Sequence, residues 1–316
     1  MNYRQLGKTG LKISEIGFGC WAIGGTSYGP TKDSDSLAAL EAAWESGVNF
    51  YDTADTYGHG HSEELLAQFL KNKSRDQVLL ATKVGWDFYH GGSKKNFDLD
   101  YIRFACDESL KRLAMDYVDL YQLHNPSLQM IQSGEQVGVL EELKKKGKIK
   151  FIGISVHREE EAMAALSDSR VDSIQLIFNL LDQRMIEKVF PEAKKKNIGI
   201  IAREPLACGL LSDKYKAGHQ FVKTDHRRRW MPEKLELDLK KIETLKRILS
   251  TKRLSLTRAA LEYVLHFEMV STVIPGAKTP EQVVENILAS TDPKLRSEEA
   301  YHLRDLYARE EIFRKP

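Results

Sequence analysis

One unit recurs along the chain: a helical pattern that ends in Gly or Asn and passes at once into an apolar run. It is visible at 41–51, 140–154 and 191–202. Glycine and asparagine tolerate the left-handed conformation after a helix C-terminus, so each unit predicts a helix followed by a strand. Strands that alternate with helices favour parallel pairing. The repeat therefore predicts an α/β fold with a parallel sheet.

The apolar runs predict eight strands, which end near Cys20, Asp52, Lys83, His124, Ile154, Leu176, Ala202 and Ile274. Helices are predicted between them, over 34–46, 62–71, 99–113, 135–146, 158–167, 186–196 and 279–289. Eight alternating units predict a (β/α)8 TIM barrel. Two extra helices near the C-terminus are expected at 234–250 and 257–267. An N-terminal β-hairpin is expected over 3–16, turning at Thr9-Gly10, and it could plug one face of the barrel.

Length and composition are consistent with one barrel domain over 1–316. The chain has 42% hydrophobic residues and no linker or low-complexity segment. Its net charge of +2 gives no overall field that would attract nucleic acid, and no apolar stretch is long enough for a membrane span. The three cysteines lie far apart, which favours a reducing compartment and a cytoplasmic location. The oligomeric state stays open.

Four polar residues stand at or near the predicted strand ends, namely Asp52, Tyr57, Lys83 and His124. Burying a charged side chain is costly unless it is paired. In a barrel of parallel strands, the C-terminal strand ends form the active-site face. A carboxylate, a phenol, an ammonium and an imidazole at that face predict a site that donates a proton.

Several motifs resemble those of the aldo-keto reductase superfamily, in the same order along nearly the whole chain. They are 17–21 (Gly-Phe-Gly-Cys-Trp), 52–58 (Asp-Thr-Ala-Asp-Thr-Tyr-Gly), Lys83, His124, 153–155, Gln175, 205–211 and 274–278. The resemblance implies a TIM barrel that binds a nicotinamide dinucleotide at its mouth and reduces carbonyl compounds. It extends to the potassium-channel β subunits, which share this fold.

The resemblance makes Tyr57 the expected general acid for the carbonyl oxygen. An unaided tyrosine, with a pKa of about 10, is a weak acid at neutral pH, so Lys83 is expected to lower the pKa of Tyr57. Asp52 would keep Lys83 charged and oriented. His124 would direct the carbonyl oxygen toward Tyr57 or assist proton transfer. The hydride must come from a cofactor, because no side chain supplies one.

The implied cofactor is NADPH, with NADH possible. Ser155 and Gln175 match the positions that bind the nicotinamide carboxamide, and Arg203 replaces a stacking aromatic residue. Lys278 is the expected partner of the 2′-phosphate, because Gln282 stands where many members have arginine. The other expected cofactor contacts are Gly19, Cys20, Trp21, Asp52, Pro205, Leu206, Cys208, Leu210, Ser212, Lys214, Arg227, Gly276, Glu285 and Asn286. For Arg227 within 225–229, a solvated basic turn is an alternative.

The substrate is expected to be a small carbonyl compound, because aromatic walls with a few polar groups suit such ligands. Sugars, short aldehydes and α-keto compounds all fit. No metal is expected: the segment 59–64 contains two histidines, but Ser62 and two glutamates predict a helix start there. The predicted pocket residues are Trp21, Tyr28, Tyr57, Trp86 and His124, with further walls from Phe88, Tyr89 and the loop around Trp230.

Two other functions remain open. A regulatory subunit that senses a dinucleotide would show a lost or slowed proton relay, whereas all four residues of the relay are present. A barrel enzyme of the aldolase or isomerase type would use Lys83 as a Schiff-base nucleophile. Borohydride trapping of a Schiff base between Lys83 and the substrate would reveal an enzyme of this type.

Overall fold

The computed structural model describes residues 1–25, 27–249 and 254–314. The strands in that part of the chain are β1 (Tyr3–Gln5), β2 (Lys12–Ser14), β3 (Phe18–Gly19), β4 (Phe50–Asp52), β5 (Leu79–Val84), β6 (Trp86–Asp87), β7 (Lys94–Lys95), β8 (Val118–His124), β9 (Ile149–Val156), β10 (Ser173–Ile177), β11 (Gly199–Arg203) and β12 (Val270–Val273). The α-helices are α1 (Asp33–Glu45), α2 (His61–Leu70), α3 (Leu99–Leu113), α4 (Leu128–Ser133), α5 (Glu135–Lys145), α6 (Glu159–Ser167), α7 (Val189–Lys196), α8 (Pro232–Ile248), α9 (Leu256–Leu265), α10 (Pro280–Thr291), α11 (Ser297–Arg309) and α12 (Glu311–Arg314).

Eight strands form one parallel sheet in the order β3-β4-β5-β8-β9-β10-β11-β12. The sheet closes on itself through parallel bridges, one of which joins Gly19 to Gly276. The amide of Gly19 donates to the carbonyl of Pro275 at 3.1 Å, and a Cβ on Gly19 would lie only 2.6 Å from the carbonyl oxygen of Ile274. Glycine therefore permits the closing contact. The predicted barrel is confirmed.

The N-terminal hairpin covers one end of this barrel. Strands β1 and β2 pair antiparallel, and Leu6 and Ile13 beside them are fully buried. They belong to an apolar cluster that includes Phe50, Leu120 and Ile201 from the barrel strands. These three lie upstream of the ends of β4, β8 and β11, so the hairpin covers the end opposite the polar strand ends. The predicted hairpin is confirmed.

The predicted helices are present, and all but α3 have at least one shifted end. Helix α7 begins at Val189 instead of 186, and the predicted end of α8 at 250 lies outside the described residues. The extra helices α8 and α9 are confirmed. Strands β6 and β7, of two residues each, and the six-residue helix α4 are too short to produce a periodic pattern, and α11 and α12 were also not predicted.

Helix α2 begins differently from the prediction. It starts at His61 after Gly60, which has a φ of 96°, so Ser62 is not its N-cap. The Ser62 hydroxyl instead donates to the carbonyl of Cys20 at 3.2 Å and receives a hydrogen bond from the Thr53 hydroxyl at 2.9 Å. Ser62 thus ties α2 to the ends of β3 and β4. Among the described helices, none is long and apolar enough to cross a membrane.

Candidate active site

The core of the site is a buried ion pair at the C-terminal end of the barrel. Lys83 on β5 and Asp52 on β4 are 0% and 2% exposed, and the Nζ of Lys83 donates to Oδ1 of Asp52 at 2.5 Å. The same Nζ donates to the carbonyl of Thr53 at 2.8 Å and lies 3.3 Å from Oη of Tyr57. Removing one partner of such a pair leaves an uncompensated buried charge. The pair therefore holds an ammonium beside the phenol.

Two glutamines hold the second oxygen of Asp52. The side-chain amides of Gln122 and Gln175 donate to Oδ2 at 3.0 Å and 2.7 Å. Gln122 was missed from the sequence. It lies two residues before His124 on β8, and residues two apart on a strand face the same side, so that spacing could have revealed it. Gln175, predicted to bind the nicotinamide, directs its amide nitrogen to Asp52 and Gln122.

Tyr57 is positioned by a close backbone contact and by a ring on each side. Gly58 has a φ of 61°, and a Cβ there would lie 1.4 Å from the carbonyl oxygen of Gly24, so only glycine allows the two loops to approach. The indole of Trp21 stacks on Tyr57 with ring centroids 5.8 Å apart. The imidazole of His124 meets Tyr57 edge-on at 5.9 Å. The structure thus brings the four predicted polar residues together.

The charge states differ in part from the expectation. Burial raises the pKa of Tyr57 above its usual value, and the Lys83 ammonium only opposes this rise. Lys83 does lower the pKa of Tyr57, as expected. Burial raises that pKa by more, so the pKa of Tyr57 lies above its usual value and not below it. Burial lowers the pKa of Lys83, but Asp52 and Tyr57 outweigh burial and hold it above the usual value. Lys83 is therefore charged at neutral pH.

His124 is neutral at neutral pH. Burial, followed by the charges of Lys83 and Arg203, holds the pKa of His124 well below its usual value. A neutral imidazole can donate one hydrogen bond but is not a proton reservoir. Its Nδ1 is buried without a hydrogen-bond partner among the described residues. This state suits orientation of a carbonyl oxygen better than proton donation.

Arg203, at the end of β11, borders the site. One guanidinium nitrogen pairs with Glu204, and another donates to Nδ1 of His157 at 2.9 Å and to the carbonyl of Val156 at 3.2 Å. Its Nε is buried with no partner in the described part of the chain. The charge of Arg203 is therefore partly balanced by the neighbouring carboxylate of Glu204.

Asn125, which was missed from the sequence, connects the neighbouring strand ends. It follows His124 with a φ of 59°, and its Oδ1 accepts a hydrogen bond from the Ser155 hydroxyl at 3.2 Å. Its carbonyl accepts from Nζ of Lys95 at 2.9 Å. A left-handed asparagine directly after a strand is a common turn signal, which the sequence Asn125-Pro126 carried.

Lys278 and Gln282 lie before and within the first turn of α10. The Nζ of Lys278 donates to the carbonyls of Tyr28 and Gly29 at 2.6 Å and 3.1 Å. The backbone amide of Lys278 donates to Oε1 of Gln282 at 2.8 Å. Gln282 therefore shapes the loop in front of the helix. Lys278 joins that loop to the segment after β3.

Arg227 is anchored within its own segment. Its guanidinium donates to both carboxylate oxygens of Asp225, at 2.9 Å and 2.6 Å, and to the carbonyl of Cys208 at 2.9 Å. The residue is buried, so the alternative of a solvated turn is wrong for this arginine. The adjacent His226 was missed from the sequence; its ring lies 4.7 Å from that of Trp21.

The remaining predicted residues lie around the rim of the site and in the segments that would face the cofactor. The rings of Phe88 and Tyr89 stack with centroids 4.2 Å apart, and the guanidinium of Arg112 lies over both. Within the described residues, the ring partners of Trp21 are Tyr28, Tyr57 and His226. The ring of Trp230 meets that of His226 edge-on, with ring centroids 6.2 Å apart. The side chains of Cys20 and Asn286 are buried, and the carboxylate of Glu285 accepts a hydrogen bond from the Ser255 hydroxyl. Gly276 forms the β-bridge to Gly19. The other predicted cofactor residues lie in the turn after β11, namely Pro205, Leu206, Cys208, Leu210, Ser212 and Lys214.

A family comparison agrees with this geometry. The model of the Aldo/keto reductase family matches residues 15–308. The chain belongs to the aldo/keto reductase family. This aldo/keto reductase is 34% identical over 317 residues to an uncharacterized oxidoreductase of Bacillus subtilis, with 99% of each chain covered. Family membership makes it an oxidoreductase.

Two solved structures share the fold of this aldo/keto reductase. An aldo-keto reductase from Bacillus halodurans, in its holo form, superimposes with a TM-score of 0.81 at 33% identity, over 97% of this chain and 96% of that one. The glycerol dehydrogenase of Gluconobacter oxydans gives a TM-score of 0.79 at 27% identity, over 98% and 95%. Both comparisons cover almost the whole barrel.

Proposed function

We propose that this aldo/keto reductase reduces small aldehydes and ketones to alcohols, with NADPH as the preferred cofactor, NADH as a weaker one and Tyr57 as general acid. The array of Asp52, Lys83 and Tyr57 carries the proposal, because it places a charged ammonium 3.3 Å from a phenol beside a neutral imidazole. The whole chain would act as one barrel domain. Its cysteines are free thiols, which supports a cytoplasmic location.

The residues at the mouth fit a nicotinamide dinucleotide. The buried Nε of Arg203 has no partner in the described residues, and the Ser155 hydroxyl, near the end of β9, shares Oδ1 of Asn125 with another guanidinium nitrogen of Arg203. Helix α10 begins at Pro280, two residues after Lys278, and a helix N-terminus with a lysine suits a phosphate. When bound, the nicotinamide supplies the hydride. Lys278, the α10 N-terminus and the turn after β11 would hold the phosphates.

The chain itself would manage the proton. Tyr57 donates its hydroxyl proton to the carbonyl oxygen as negative charge develops there. Lys83 stabilises the phenolate that remains, which matters because burial alone makes Tyr57 a weaker acid. Asp52 and the two glutamines keep Lys83 in place. His124, neutral and next to Tyr57, donates a hydrogen bond that orients the carbonyl oxygen.

The same geometry disfavours a Schiff-base mechanism. An amine nucleophile must lose its proton, whereas Asp52 and Tyr57 hold the pKa of Lys83 above its usual value.

The dinucleotide-sensing function predicts tight cofactor binding with little turnover. Following the oxidation of NADPH and NADH with a panel of aldehydes, ketoses and dicarbonyls separates that function from the proposed reductase.

We predict that Tyr57→Phe lowers kcat by about a hundredfold or more, because general acid catalysis contributes typically about 10²- to 10⁴-fold. The substitution removes the hydroxyl and keeps the ring that stacks on Trp21. NADPH binding, measured by fluorescence titration, should be unchanged and serves as the control for folding. A variant that keeps more than about a tenth of the wild-type kcat would exclude Tyr57 as the proton donor.

A further inference from the structure

A two-stranded hairpin lies against the end of β8 and brings a lysine to the edge of the site. Strands β6 and β7 pair Trp86 with Lys95 and Asp87 with Lys94. The amide of Asn96 donates to the carbonyl of Gly85 at 3.0 Å, and a Cβ on Gly85 would lie 3.3 Å from the carbonyl oxygen of His124. The hairpin thus adjoins the residue that orients the carbonyl.

The two faces of the hairpin differ in charge. Paired residues share a face and successive residues alternate, so Trp86 and Lys95 lie on one face and Asp87 and Lys94 on the other. The carboxylate of Asp87 is buried and accepts hydrogen bonds from His90 and Asn96. The acidic residue of the hairpin therefore does not neutralise Lys95.

Among the described residues near His124, Lys95 is the cation that has no carboxylate partner. Its Nζ donates to the carbonyl of Asn125 at 2.9 Å and lies 5.9 Å from the centre of the Trp86 ring. Within residues 1–25, 27–249 and 254–314 it forms no ion pair with a carboxylate. Lys83 and Arg203, the other cations there, pair with Asp52 and Glu204. An ammonium has three donors, so Lys95 keeps two for a ligand.

We infer that Lys95 is a specificity residue that binds an anionic group, a carboxylate or a phosphate, on the carbonyl substrate. The inference rests on the proposed function and specifies its substrate class. A small molecule whose carbonyl oxygen lies at Tyr57 and His124 would extend its charged end past Trp86 to Lys95. Neutral aldehydes of the same size would lack this contact and would bind more weakly.

The test compares Lys95→Met with Lys94→Met, which removes the same charge from the opposite face of the same hairpin. Substrates are two pairs that differ in charge: succinic semialdehyde with butanal, and glyceraldehyde 3-phosphate with glyceraldehyde. Lys95→Met should raise KM for the charged members by about three- to tenfold, between the effects of an exposed ion pair and a charged hydrogen bond. KM for the neutral members and kcat should stay constant, and Lys94→Met should behave as wild type.

The two charged substrates distinguish a carboxylate from a phosphate ligand. Equal effects of Lys95→Met on charged and neutral substrates, or the same change in Lys94→Met, would overturn the inference. A fluorescence titration with 4-hydroxybutyrate, with 1,4-butanediol as the neutral control, measures anion binding without turnover. If 4-hydroxybutyrate binding depends on Lys95 but the protein reduces no aldehyde, the anion site is supported and the proposed reductase function is rejected. Binding that ignores Lys95 would reject the anion site.

Discussion

At the level of single residues, the central feature is how completely Lys83 is surrounded. Its ammonium has donor contacts to Asp52, Thr53 and Tyr57, and Asp52 is held in turn by two glutamines. Burying an ion pair is costly, and its desolvation is offset only when further hydrogen bonds satisfy both partners. This arrangement keeps one positive charge at a fixed distance from the phenol.

We predict that Lys83→Met lowers kcat by about a hundredfold or more, as expected when a general acid loses its assistance. The remaining pH dependence of kcat should shift toward higher pH, because burial raises the pKa of Tyr57 and the opposing charge is gone. Steady-state kinetics across pH measures both effects. An unchanged pH profile would make Lys83 a structural residue only.

The substitution also leaves Asp52 buried without its cation, which costs about 3–5 kcal/mol of folding free energy. The double variant Asp52→Asn/Lys83→Met removes that charge and serves as the control. It should regain most of the stability, measured by urea denaturation, and stay inactive. Recovery of activity in the double variant would contradict the assigned role of Lys83.

Residues at strand ends, and the face of the sheet on which their neighbours lie, could be predicted from the sequence, but the contacts between them could not. Lys83 and His124 each end an apolar run, so their position was visible in the sequence. Gln122 contacts Asp52 across 70 positions of sequence, and His226 reaches Trp21 from a loop far along the chain. Such contacts depend on strand register and loop path. The net pKa of Tyr57 depends on burial, which the sequence does not display.

At the level of elements, helix α10 and the loop before it form a compact unit. Thr279 caps the helix by accepting from the amide of Gln282, and Gln282 accepts in return from the amide of Lys278. Lys278 reaches the carbonyls of Tyr28 and Gly29. The lysine side chain therefore stands between the helix N-terminus and the segment after β3. A phosphate bound there would meet both a helix dipole and a cation.

We predict that Lys278→Ala weakens NADPH binding by about tenfold to a hundredfold, because hydrogen bonds to charged groups are worth about 1.5–3 kcal/mol. NADH binding should barely change, since NADH lacks the 2′-phosphate. Titration calorimetry with both cofactors measures the difference. Equal losses would mean that Lys278 acts through the loop at Tyr28 or through a shared phosphate. A wild-type protein that prefers NADH would contradict the proposed cofactor.

Long elements were predictable and short ones were not. The barrel strands and the long helices contain enough residues for the spacing of their apolar positions to be recognised in the sequence. For helix α3, the predicted and observed bounds agree at 99–113. The hairpin of β6 and β7 has two residues in each strand, and the side chain of Lys95 bonds it to Asn125 directly after β8. It nevertheless carries Lys95, so a part of the site that bears on substrate choice was invisible to periodicity.

At the level of the whole molecule, the two ends of the barrel differ in how their interior is filled. The hairpin end holds an apolar cluster that includes Leu6, Ile13 and Phe50. The opposite end buries ionisable groups beyond the ion pair, notably Asp55 and Glu63. Glu63 is bonded to Thr82 and Arg112, whereas the carboxyl of Asp55 has the backbone of Thr56 beside it and no side-chain partner among the described residues. A buried polar group without a side-chain partner reduces stability, so the carboxyl of Asp55 costs folding free energy.

Asp55 provides a way to measure that cost. Burial raises the pKa of Asp55 well above its usual value, with Glu63 adding to the rise and Arg112 and Lys83 opposing it. Below the pKa of the unfolded chain, about 3.9, Asp55 is protonated in both states and pH has no effect through it. Above that value the unfolded chain releases the proton while the folded protein keeps it. The folded state therefore loses stability as pH rises, until pH passes the raised pKa.

We predict that Asp55→Asn, which cannot ionise, removes this loss. The free energy of unfolding of the variant, relative to wild type, should rise from about pH 5 to about pH 7 by up to about 1.4 kcal/mol per pH unit, the linkage value for one proton. Urea denaturation of the variant and of the wild type across this range measures it. A difference between Asp55→Asn and wild type that stays constant with pH would mean that Asp55 is ionised in the folded barrel. Its two oxygens would then need partners, which internal water could supply.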